Sequence, residues 1–320
     1  MSQPIIELTN VTKRYGLTAA LNGLSCAIER GEMFGIIGPD GAGKTTMIRV
    51  MCGLLRIGGG TVRITGHDPV REHRRVADRV GYLSQRFSLY GDLSIDENIA
   101  FFADIHGVRD YKPRRDRLLE MTHLAPFRGR RADRLSGGMK QKLALACTLV
   151  HEPDVILLDE PTTGVDPVSR REFWKLLSEF LAQGLTIVMA TPYLDEAERC
   201  SRVALLHEGR VLAIDVPRQL QQGFGGELYE LVAEPHRQAF TALASVEGAA
   251  DAQTFGERIH VRAPAGEGAR VESAARQALE QAGVRVVSMR RIVPSLEDVF
   301  IDRVHGSGAR EAGNPEARAE

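Results

Sequence analysis

Nine consecutive residues combine glycines with a lysine and hydroxyl side chains: Gly38, Pro39, Asp40, Gly41, Ala42, Gly43, Lys44, Thr45 and Thr46. Glycine lets the backbone curl so that its N–H groups point inward and can cradle phosphate oxygens. A helix that starts directly after such a loop adds the positive end of its dipole. The Lys44 ammonium suits the β- and γ-phosphates, and the Thr45 hydroxyl suits Mg²⁺. The segment therefore predicts a nucleotide site.

Three further side chains suit phosphoryl chemistry. Asp159 and Glu160 end an apolar run, 155–158, which is typical of a strand buried in a parallel sheet. Asp159 suits Mg²⁺ through water, and Glu160 suits a base that orients the attacking water. Gln85 also follows an apolar strand pattern, and ligands of open α/β sheets bind outside the carboxyl ends of strands. Two acids at a strand end would carry little meaning alone, but the phosphate loop favours the catalytic interpretation.

Two other features have a functional and an ordinary interpretation. Ser136, Gly137 and Gly138 precede a helical pattern that begins at Met139. They predict either a second anion-binding helix end or a simple N-cap, and local physics does not choose between them. Tyr15 is an aromatic residue upstream of the phosphate loop, which could stack on adenine or could be ordinary packing.

The elements that position these residues follow from the same patterns. An apolar run at 33–37 precedes the phosphate loop and a helical pattern follows it, which is the context that such a loop needs. The region 87–150 shows apolar residues at three- and four-residue spacing, and Ser94 to Glu97 forms a capping-box pattern. We expect an α/β fold with a mostly parallel sheet, an antiparallel β portion near the N-terminus and a helical subdomain near 87–150.

Length and composition predict about two domains. The chain has 320 residues, of which 43% are hydrophobic. A nucleotide-binding domain is expected over 1–216 and a small α+β domain, without a catalytic constellation, over 217–304. Ser295 to Asp298 is a capping-box pattern that predicts a last short helix. The polar stretch 305–320 is expected to be disordered.

Several classes of protein are disfavoured. The net charge of −1 gives no overall attraction to nucleic acid or to anionic lipid. The four cysteines form no CxxC pair, which disfavours a disulfide framework or a zinc site and fits a reducing cytosol. No apolar run approaches the roughly 18 residues that span a bilayer, and the N-terminus lacks a signal-peptide layout. Any role at a membrane is therefore expected to depend on a partner.

Residues 4–216 together resemble the ATP-binding cassette (ABC) family of transport ATPases. The resemblance rests on the phosphate loop, on 155–160 and on the family's signature segment, Leu135 to Gln141. The segment Pro294 to Phe300 resembles the C-terminal extension of ATP-binding subunits from drug and antibiotic exporters. The resemblance implies a P-loop nucleotide-binding cassette that hydrolyses ATP to energise a membrane exporter of drugs or other hydrophobic substrates.

The family also implies roles for individual residues. Tyr15 would stack on adenine, Gln85 would sense Mg²⁺ and the transporter, and Asp166 would contact a second cassette. Ser136, Gly137 and Gly138 would reach the γ-phosphate of ATP bound to that opposing cassette. With ATP and Mg²⁺ as cofactors, catalysis is assigned to Lys44, Gln85 and Glu160, and the metal to Thr45, Gln85 and Asp159. The expected nucleotide-binding set is Tyr15, residues 38–46, Gln85, Ser136, Gly137, Gly138, Asp159 and Asp166.

The sequence departs from the family pattern at two positions. Asp40 stands where asparagine is commoner, which is tolerated if the side chain points to solvent. Pro192 stands between Thr191 and Tyr193, where the family usually has a histidine that contacts the γ-phosphate. Proline has no side-chain donor and no N–H. Losing one positioned donor commonly costs on the order of 10²–10³ in rate, so slow hydrolysis is expected.

Two other functions remain open. Because of Pro192, the chain could be an ATP-binding switch with a degenerate site that pairs with a non-identical cassette. It could also be a soluble family member acting on ribosomes or DNA, which no basic patch supports, while a P-loop kinase would leave the signature segment without a role. The expected partners are a transmembrane permease and a second cassette, identical or not, with no nucleic acid. The expected location is cytoplasmic, peripheral on the inner face of the cell membrane.

Overall fold

The computed structural model describes residues 3–86, 88–249 and 252–312, with side chains to residue 305. The chain forms two compact units, Met1–Pro217 and Arg218–Glu320. In chain order, the strands and helices described in the first unit are β1 (Ile6–Tyr15), β2 (Thr18–Ile28), β3 (Met33–Ile37), α1 (Lys44–Met51), β4 (Gly59–Ile64), α2 (His73–Ala77), β5 (Val80–Leu83), α3 (Ile95–Ile105), α4 (Lys112–Met121), α5 (Gly137–Leu149), β6 (Val155–Asp159), α6 (Pro167–Ala182), β7 (Thr186–Thr191), α7 (Leu194–Ala197), β8 (Arg202–His207) and β9 (Arg210–Asp215).

The largest sheet of the first unit has the strand order β5-β6-β7-β3-β8-β9. The first five strands are parallel, and β9 pairs antiparallel with β8. Every residue of β3, β6 and β7 is buried, which explains their nearly continuous apolar sequences. The carboxyl ends of these strands meet at one edge of the sheet, so the segments that follow β3, β5, β6 and β7 lie together.

A second sheet in this unit has the order β2-β1-β4 and is antiparallel. Its inward side chains, among them Ile6 and Leu8, share one apolar cluster with Met47 and Ile48 of α1 and with Ile36 of β3. This packing fixes β1, which ends at Tyr15, against the elements that carry the phosphate loop. The predicted antiparallel portion near the N-terminus is confirmed.

The helical subdomain contains α3, α4 and α5, with 3₁₀ turns at Ala125–Phe127 and Ala132–Arg134. The predicted capping box at the start of α3 is confirmed. The Ser94 hydroxyl accepts from the Glu97 N–H at 3.2 Å, and the Glu97 carboxylate accepts from the Ser94 N–H at 2.7 Å. Buried Asn98 donates to the carbonyls of Tyr90 and Leu93, so this side chain also holds the loop that leads into the helix.

The second unit is an α+β unit. Its described elements are α8 (Pro217–Gln222), which begins at the division, β10 (Glu227–Glu234), α9 (His236–Leu243), β11 (Gln253–Phe255), β12 (Arg258–Ala263), α10 (Gly268–Gln281), β13 (Arg285–Ile292) and α11 (Leu296–Ala312). The sheet order is β11-β12-β10-β13, all antiparallel. Residues Ala239 and Leu243 of α9 and Val271, Ala275 and Leu279 of α10 pack on this sheet in one apolar core.

The end of the chain differs from its sequence prediction. Helix α11 has 17 residues and reaches Ala312, so it is longer than the short helix that was predicted, and it overlaps the first part of the stretch 305–320, whose disorder stays a prediction. The remainder of that stretch, 313–320, lies outside the described residues. The capping-box pattern correctly predicted that the helix begins after Ser295, whose N–H and hydroxyl both donate to Asp298. None of the helices in the described part of the chain is both long and apolar enough to cross a bilayer.

Candidate nucleotide site

The phosphate loop connects β3 to α1, and glycine is required at both ends of the loop. A Cβ atom on Gly38 would lie 2.1 Å from the carbonyl oxygen of Leu206. Gly43 has a φ of 106°, and its Cβ would lie 2.4 Å from the carbonyl oxygen of Ala20. The neighbouring backbone therefore excludes every side chain at these positions. The side chain of Asp40, by contrast, is 97% exposed, which fits an aspartate that is tolerated here, and its Oδ1 lies 3.8 Å from the lysine ammonium group of the loop.

Lys44 is the buried cation of the loop. Its side chain is 4% exposed, and Nζ donates to the carbonyls of Gly38 at 2.9 Å and Pro39 at 3.1 Å. Nζ also lies 3.6 Å from Oε1 of Glu160. The ammonium group is thus held between the loop and the acidic end of β6, where its positive charge faces the cleft that the loop borders.

Thr45 and Asp159 form the pair that fits a hard cation. The Thr45 hydroxyl donates to Oδ1 of Asp159 at 2.9 Å. Burial raises the pKa of Asp159, and the nearby Glu160 raises it further, while the hydrogen bond from Thr45 acts in the opposite direction. A hydroxyl and a carboxylate are oxygen donors of the kind that Mg²⁺ takes. These two side chains therefore fit a magnesium site.

Glu160 lies immediately beyond β6, and three polar contacts orient it. Its φ is 49°, a left-handed conformation that side chains adopt rarely and at a cost of about 1 kcal/mol or more. Its N–H donates to the carbonyl of Ala190 at 2.9 Å. Oε2 accepts from Nε2 of Gln85 at 3.0 Å and from the Thr163 hydroxyl at 3.3 Å. The carboxylate is therefore fixed at the edge where the strands end.

Lys44, Thr45 and Glu160 border one cleft of about 740 Å³, whereas Asp159 lies behind Thr45 and is not among the lining residues. The predicted residues that line it come from the loop, β1 and the strand ends, and residues with no assigned nucleotide-binding role join them. The lining consists of Tyr15, Ala20, Asp40, Gly41, Gly43, Lys44, Thr45, Thr46, Gln85, Glu160, Thr163, Pro192 and Tyr193. A volume of this order suits a small-molecule ligand, and the lining supplies both a cation and carboxylates.

Tyr15 stands at the open side of this cleft. Its side chain is 49% exposed at the end of β1, and Nζ of Lys13 lies 5.3 Å from the ring centroid. A half-exposed aromatic ring is suited to stacking on a planar base. The position therefore fits the adenine interpretation.

The signature segment and Asp166 are not among the residues that line the cleft. Ser136 caps α5, and its hydroxyl accepts from the Met139 N–H at 3.3 Å. Asp166 caps α6 and accepts from the N–H groups of Val168 and Ser169, both at 3.0 Å; the hydrogen bonds from Ser169 and Val168 lower its pKa. A Cβ on Gly138 would lie 2.3 Å from Oγ of Ser169, so the two helix starts are neighbours.

The comparison with known proteins identifies the family. Residues 21–163 match the family described as ABC transporter. The daunorubicin resistance ATP-binding protein DrrA3 of Streptomyces coeruleorubidus is 36% identical over 306 residues, which are 94% of this chain and 96% of DrrA3. The chain belongs to the ABC transporter family. The predicted family is confirmed.

A second relative and a solved structure extend this result for the ABC protein. The probable multidrug ABC transporter ATP-binding protein YbhF of Escherichia coli is 38% identical over 319 residues, or 98% of this chain. The chain spans about half, 54%, of the length of YbhF. A solved structure of the ATP-binding cassette MJ0796 is dimeric, in a post-hydrolysis state, and bound to ADP and Pi. The match covers 66% of this chain and 98% of the MJ0796 chain, with 29% identity and a TM-score of 0.59. The predicted cassette fold is confirmed.

Sequence reasoning on this ABC protein missed two polar side chains of the cleft. Thr163 follows Glu160 by one turn and donates to its carboxylate. Tyr193 lies just beyond the end of β7, at the same edge of the sheet as Gln85. The rule that located Gln85, a polar residue after an apolar strand, would also have selected Tyr193. Thr163 had no comparable signal, because its contact depends on the turn after Glu160.

Proposed function

We propose that this ABC protein binds ATP with Mg²⁺ in the cleft and hydrolyses it to energise a membrane exporter. The observation that carries the proposal is the convergence of one cation, two carboxylates and their polar partners at a single sheet edge. Phosphoryl transfer is catalysed mainly by positioning and by charge, and these groups supply both.

Binding uses the loop, Lys44 and Tyr15. The phosphates of ATP would lie in the loop, near the start of α1, where backbone N–H groups and the helix dipole favour negative charge. Lys44 would exchange its carbonyl contacts for the β- and γ-phosphates. Tyr15 would stack on the adenine, which explains the position of an exposed aromatic ring at the end of β1.

Catalysis uses the acidic strand end. Thr45 and Asp159 would hold Mg²⁺ together with Gln85, and the bound metal would neutralise charge on the phosphates. Glu160 would orient the attacking water. Gln85 and Thr163 each donate one hydrogen bond to the carboxylate of Glu160, so together they set the direction from which the carboxylate can accept a proton.

A second cassette would complete the site. Ser136, Gly137 and Gly138 start a helix at the surface beside Asp166, away from the cleft of their own chain. We propose that they reach the γ-phosphate on an opposing cassette, identical or not, and that Asp166 contacts it. The structure of the cassette MJ0796 is dimeric, which supports the pairing of two cassettes.

The export function rests on the relatives. DrrA3 is named for daunorubicin resistance and YbhF for probable multidrug transport. We propose that the partner of this chain is a transmembrane permease, at the inner face of the cell membrane, and that the exported substrate is a drug or another hydrophobic molecule. No feature of the described residues favours a role on ribosomes or DNA.

Pro192 favours a second candidate, an ATP-binding switch with little turnover of its own. The residue lines the cleft but offers no donor to a phosphate. Lys44 and Tyr15, which are proposed to bind ATP, line the same cleft. Such a chain would form its dimer with a non-identical cassette that carries the missing histidine.

The deciding experiment measures Mg-ATP binding and hydrolysis by the full chain and by the Pro192→His, Glu160→Gln and Lys44→Ala variants. Turnover by the wild type that Glu160→Gln abolishes supports the ATPase. An inactive wild type that gains on the order of 10²–10³-fold with histidine supports the switch. Failure of the wild type to bind ATP any better than Lys44→Ala would overturn both. Accumulation of a fluorescent hydrophobic drug in cells carrying the wild type or Lys44→Ala then tests export.

A further inference from the structure

Glu196 of α7 is a buried carboxylate that the proposed chemistry does not use. The residue is 1% exposed. Its Oε1 accepts from the Thr162 hydroxyl at 2.6 Å and from Nε1 of Trp174 at 3.4 Å, and its Oε2 accepts from the Thr191 hydroxyl at 2.8 Å. One side chain therefore joins the turn after β6, helix α6 and the end of β7.

Each of the two buried threonines directly precedes a residue that lines the cleft. Thr162 is followed by Thr163, which donates to Glu160, and Thr191 is followed by Pro192, which lines the cleft. The Thr191 hydroxyl also accepts from the Tyr193 N–H at 3.1 Å. The carboxylate of Glu196 thus fixes the segment 191–193 relative to the turn that carries the proposed catalytic base.

Arg170 extends these contacts to the segment that Asp166 caps. Its Nε lies 3.8 Å from Oε1 of Glu196, and its guanidinium lies 4.8 Å from the ring centroid of Tyr193. Arg170 is four residues along the chain from Asp166, and its N–H donates to the carbonyl of that residue at 2.9 Å. A guanidinium beside a buried carboxylate offsets the cost of burying the charge.

We propose that Glu196 is a positioning residue of the ATP site, which holds 191–193 in place against Thr162 and ties both to α6 through Arg170. The inference rests on the proposed function. A buried carboxylate whose oxygens are all hydrogen-bonded forms a rigid unit, because any movement of one partner leaves a polar group unpaired. Movement at the γ-phosphate end of the cleft is therefore transmitted to the start of α6.

Trp174 provides a built-in reporter of this unit. It is the only tryptophan in the sequence, it is 3% exposed, and it donates to Glu196 itself. The guanidinium of Arg199 lies 5.5 Å from its ring centroid. Because indole emission responds to nearby charge and hydrogen bonding, intrinsic fluorescence reports on the environment of Glu196 without a label.

The test compares wild type, Glu196→Gln and the matched control Asp195→Asn, an exposed neighbour on the same helix. Glu196→Gln keeps the shape of the side chain and removes its charge. We expect ATP affinity within about threefold of wild type, kcat at least tenfold lower with KM little changed, and loss of the Trp174 response to Mg-ATP, because binding groups stay in place while 191–193 loosens. Asp195→Asn should match wild type in all three. An unchanged kcat, or a Trp174 response that survives in Glu196→Gln, overturns the proposal.

Two further variants separate positioning from simple loss of fold. Thr191→Val removes one hydroxyl from the unit and should repeat the kcat and fluorescence effects, whereas Thr191→Ser should restore both. If the wild type binds ATP without turnover, the same comparison is made in the Pro192→His variant. The gain in rate from histidine should disappear when Glu196→Gln is added, and a gain that persists contradicts the positioning role. If Lys44→Ala does not weaken ATP binding, the proposed function fails. This measurement uses no variant of Glu196, so a failure of the proposed function can be distinguished from a failure of the positioning role.

Discussion

At the scale of single residues, the cleft depends on Gly38 and Gly43, where the neighbouring backbone leaves room only for a hydrogen atom. Gly38 meets a backbone carbonyl of β8, which has no freedom to move, while Gly137 at the start of α5 has open space around its Cβ direction. The same substitution at Gly38 and at Gly137 should therefore have different consequences.

Gly38→Ala is expected to lower stability by about 1–3 kcal/mol and to weaken nucleotide binding at least tenfold, since the loop must shift away from the Leu206 carbonyl. Gly137→Ala should leave stability unchanged or slightly raised, because alanine favours a helix. Denaturant unfolding and titration with a fluorescent ATP analogue measure both effects. Equal losses from the two substitutions would contradict the steric explanation.

Individual residues also show how far sequence reasoning reached. Lys44, Thr45, Asp159 and Gln85 were predictable because each lies next to a strand or helix whose pattern is local. Glu196 was not, because its three hydrogen bonds come from residues 5 to 34 positions away that meet only once the sheet has formed. Sequence patterns predict where strands end, but which buried polar groups meet depends on how the strands and helices pack against one another.

At the scale of elements, the end of α3 meets the end of α5 through a pair of histidines. The rings of His106 and His151 stack 3.8 Å apart and 3° from parallel. Burial, followed by the neighbouring charge of His106, lowers the pKa of His151 to about 4, while Asp78 acts in the opposite direction. Burial also lowers the pKa of His106. Both shifts favour the neutral form of the imidazole.

This pair should make stability depend on pH. Between the folded-state pKa of about 4 and the ordinary value of 6.5, unfolded His151 binds more protons than folded His151, so stability should fall as pH falls through that window. The full loss is on the order of 3 kcal/mol. His151→Phe, which keeps the stacking, should flatten the profile in denaturant unfolding from pH 7 to 4.5. Exposed His73→Gln is the control, and an unaltered slope in His151→Phe would refute the assignment.

The start of α11 is a second element whose stability depends on one side chain. Buried Asp298 accepts from the Ser295 N–H at 2.8 Å and lies 2.7 Å from Nδ1 of His260 on β12. Although burial raises its pKa, the hydrogen bonds from His260 and Ser295 outweigh burial and lower it. The carboxylate therefore caps the helix and fixes it to the sheet.

Asp298→Ala is expected to destabilise the second unit by about 1–2 kcal/mol, because a cap and a buried partner are lost together. Glu297→Ala removes an exposed acid from the same helical turn and should cost much less. Hydrogen exchange of α11 and β12 in the full chain measures the difference. Equal protection in both variants would show that the cap is not what holds the helix.

At the scale of the whole molecule, the sequence predicted the α/β cassette well, because apolar strands and a glycine-rich loop can each be recognised from a short stretch of sequence. The extent of α11 was missed, since a stretch rich in Gly, Ala, Arg and Glu has the composition of a disordered segment. The role of the signature segment at the start of α5 could not be decided from its neighbouring residues, for a different reason. Its start lies beside Asp166 and is not among the residues that line the cleft, so in our proposal its function depends on another molecule.

That dependence leads to a prediction about assembly. Glu160→Gln should bind Mg-ATP without hydrolysing it and should accumulate as a dimer in gel filtration, because in the proposed function only hydrolysis lets the closed cassettes separate. Adding Gly137→Glu should keep this variant monomeric: the new carboxylate has open space in its own chain but would repel the γ-phosphate of an opposing one. An ATP-bound Glu160→Gln that stays monomeric contradicts a homodimer and points to a non-identical cassette as the partner, as Pro192 independently suggests.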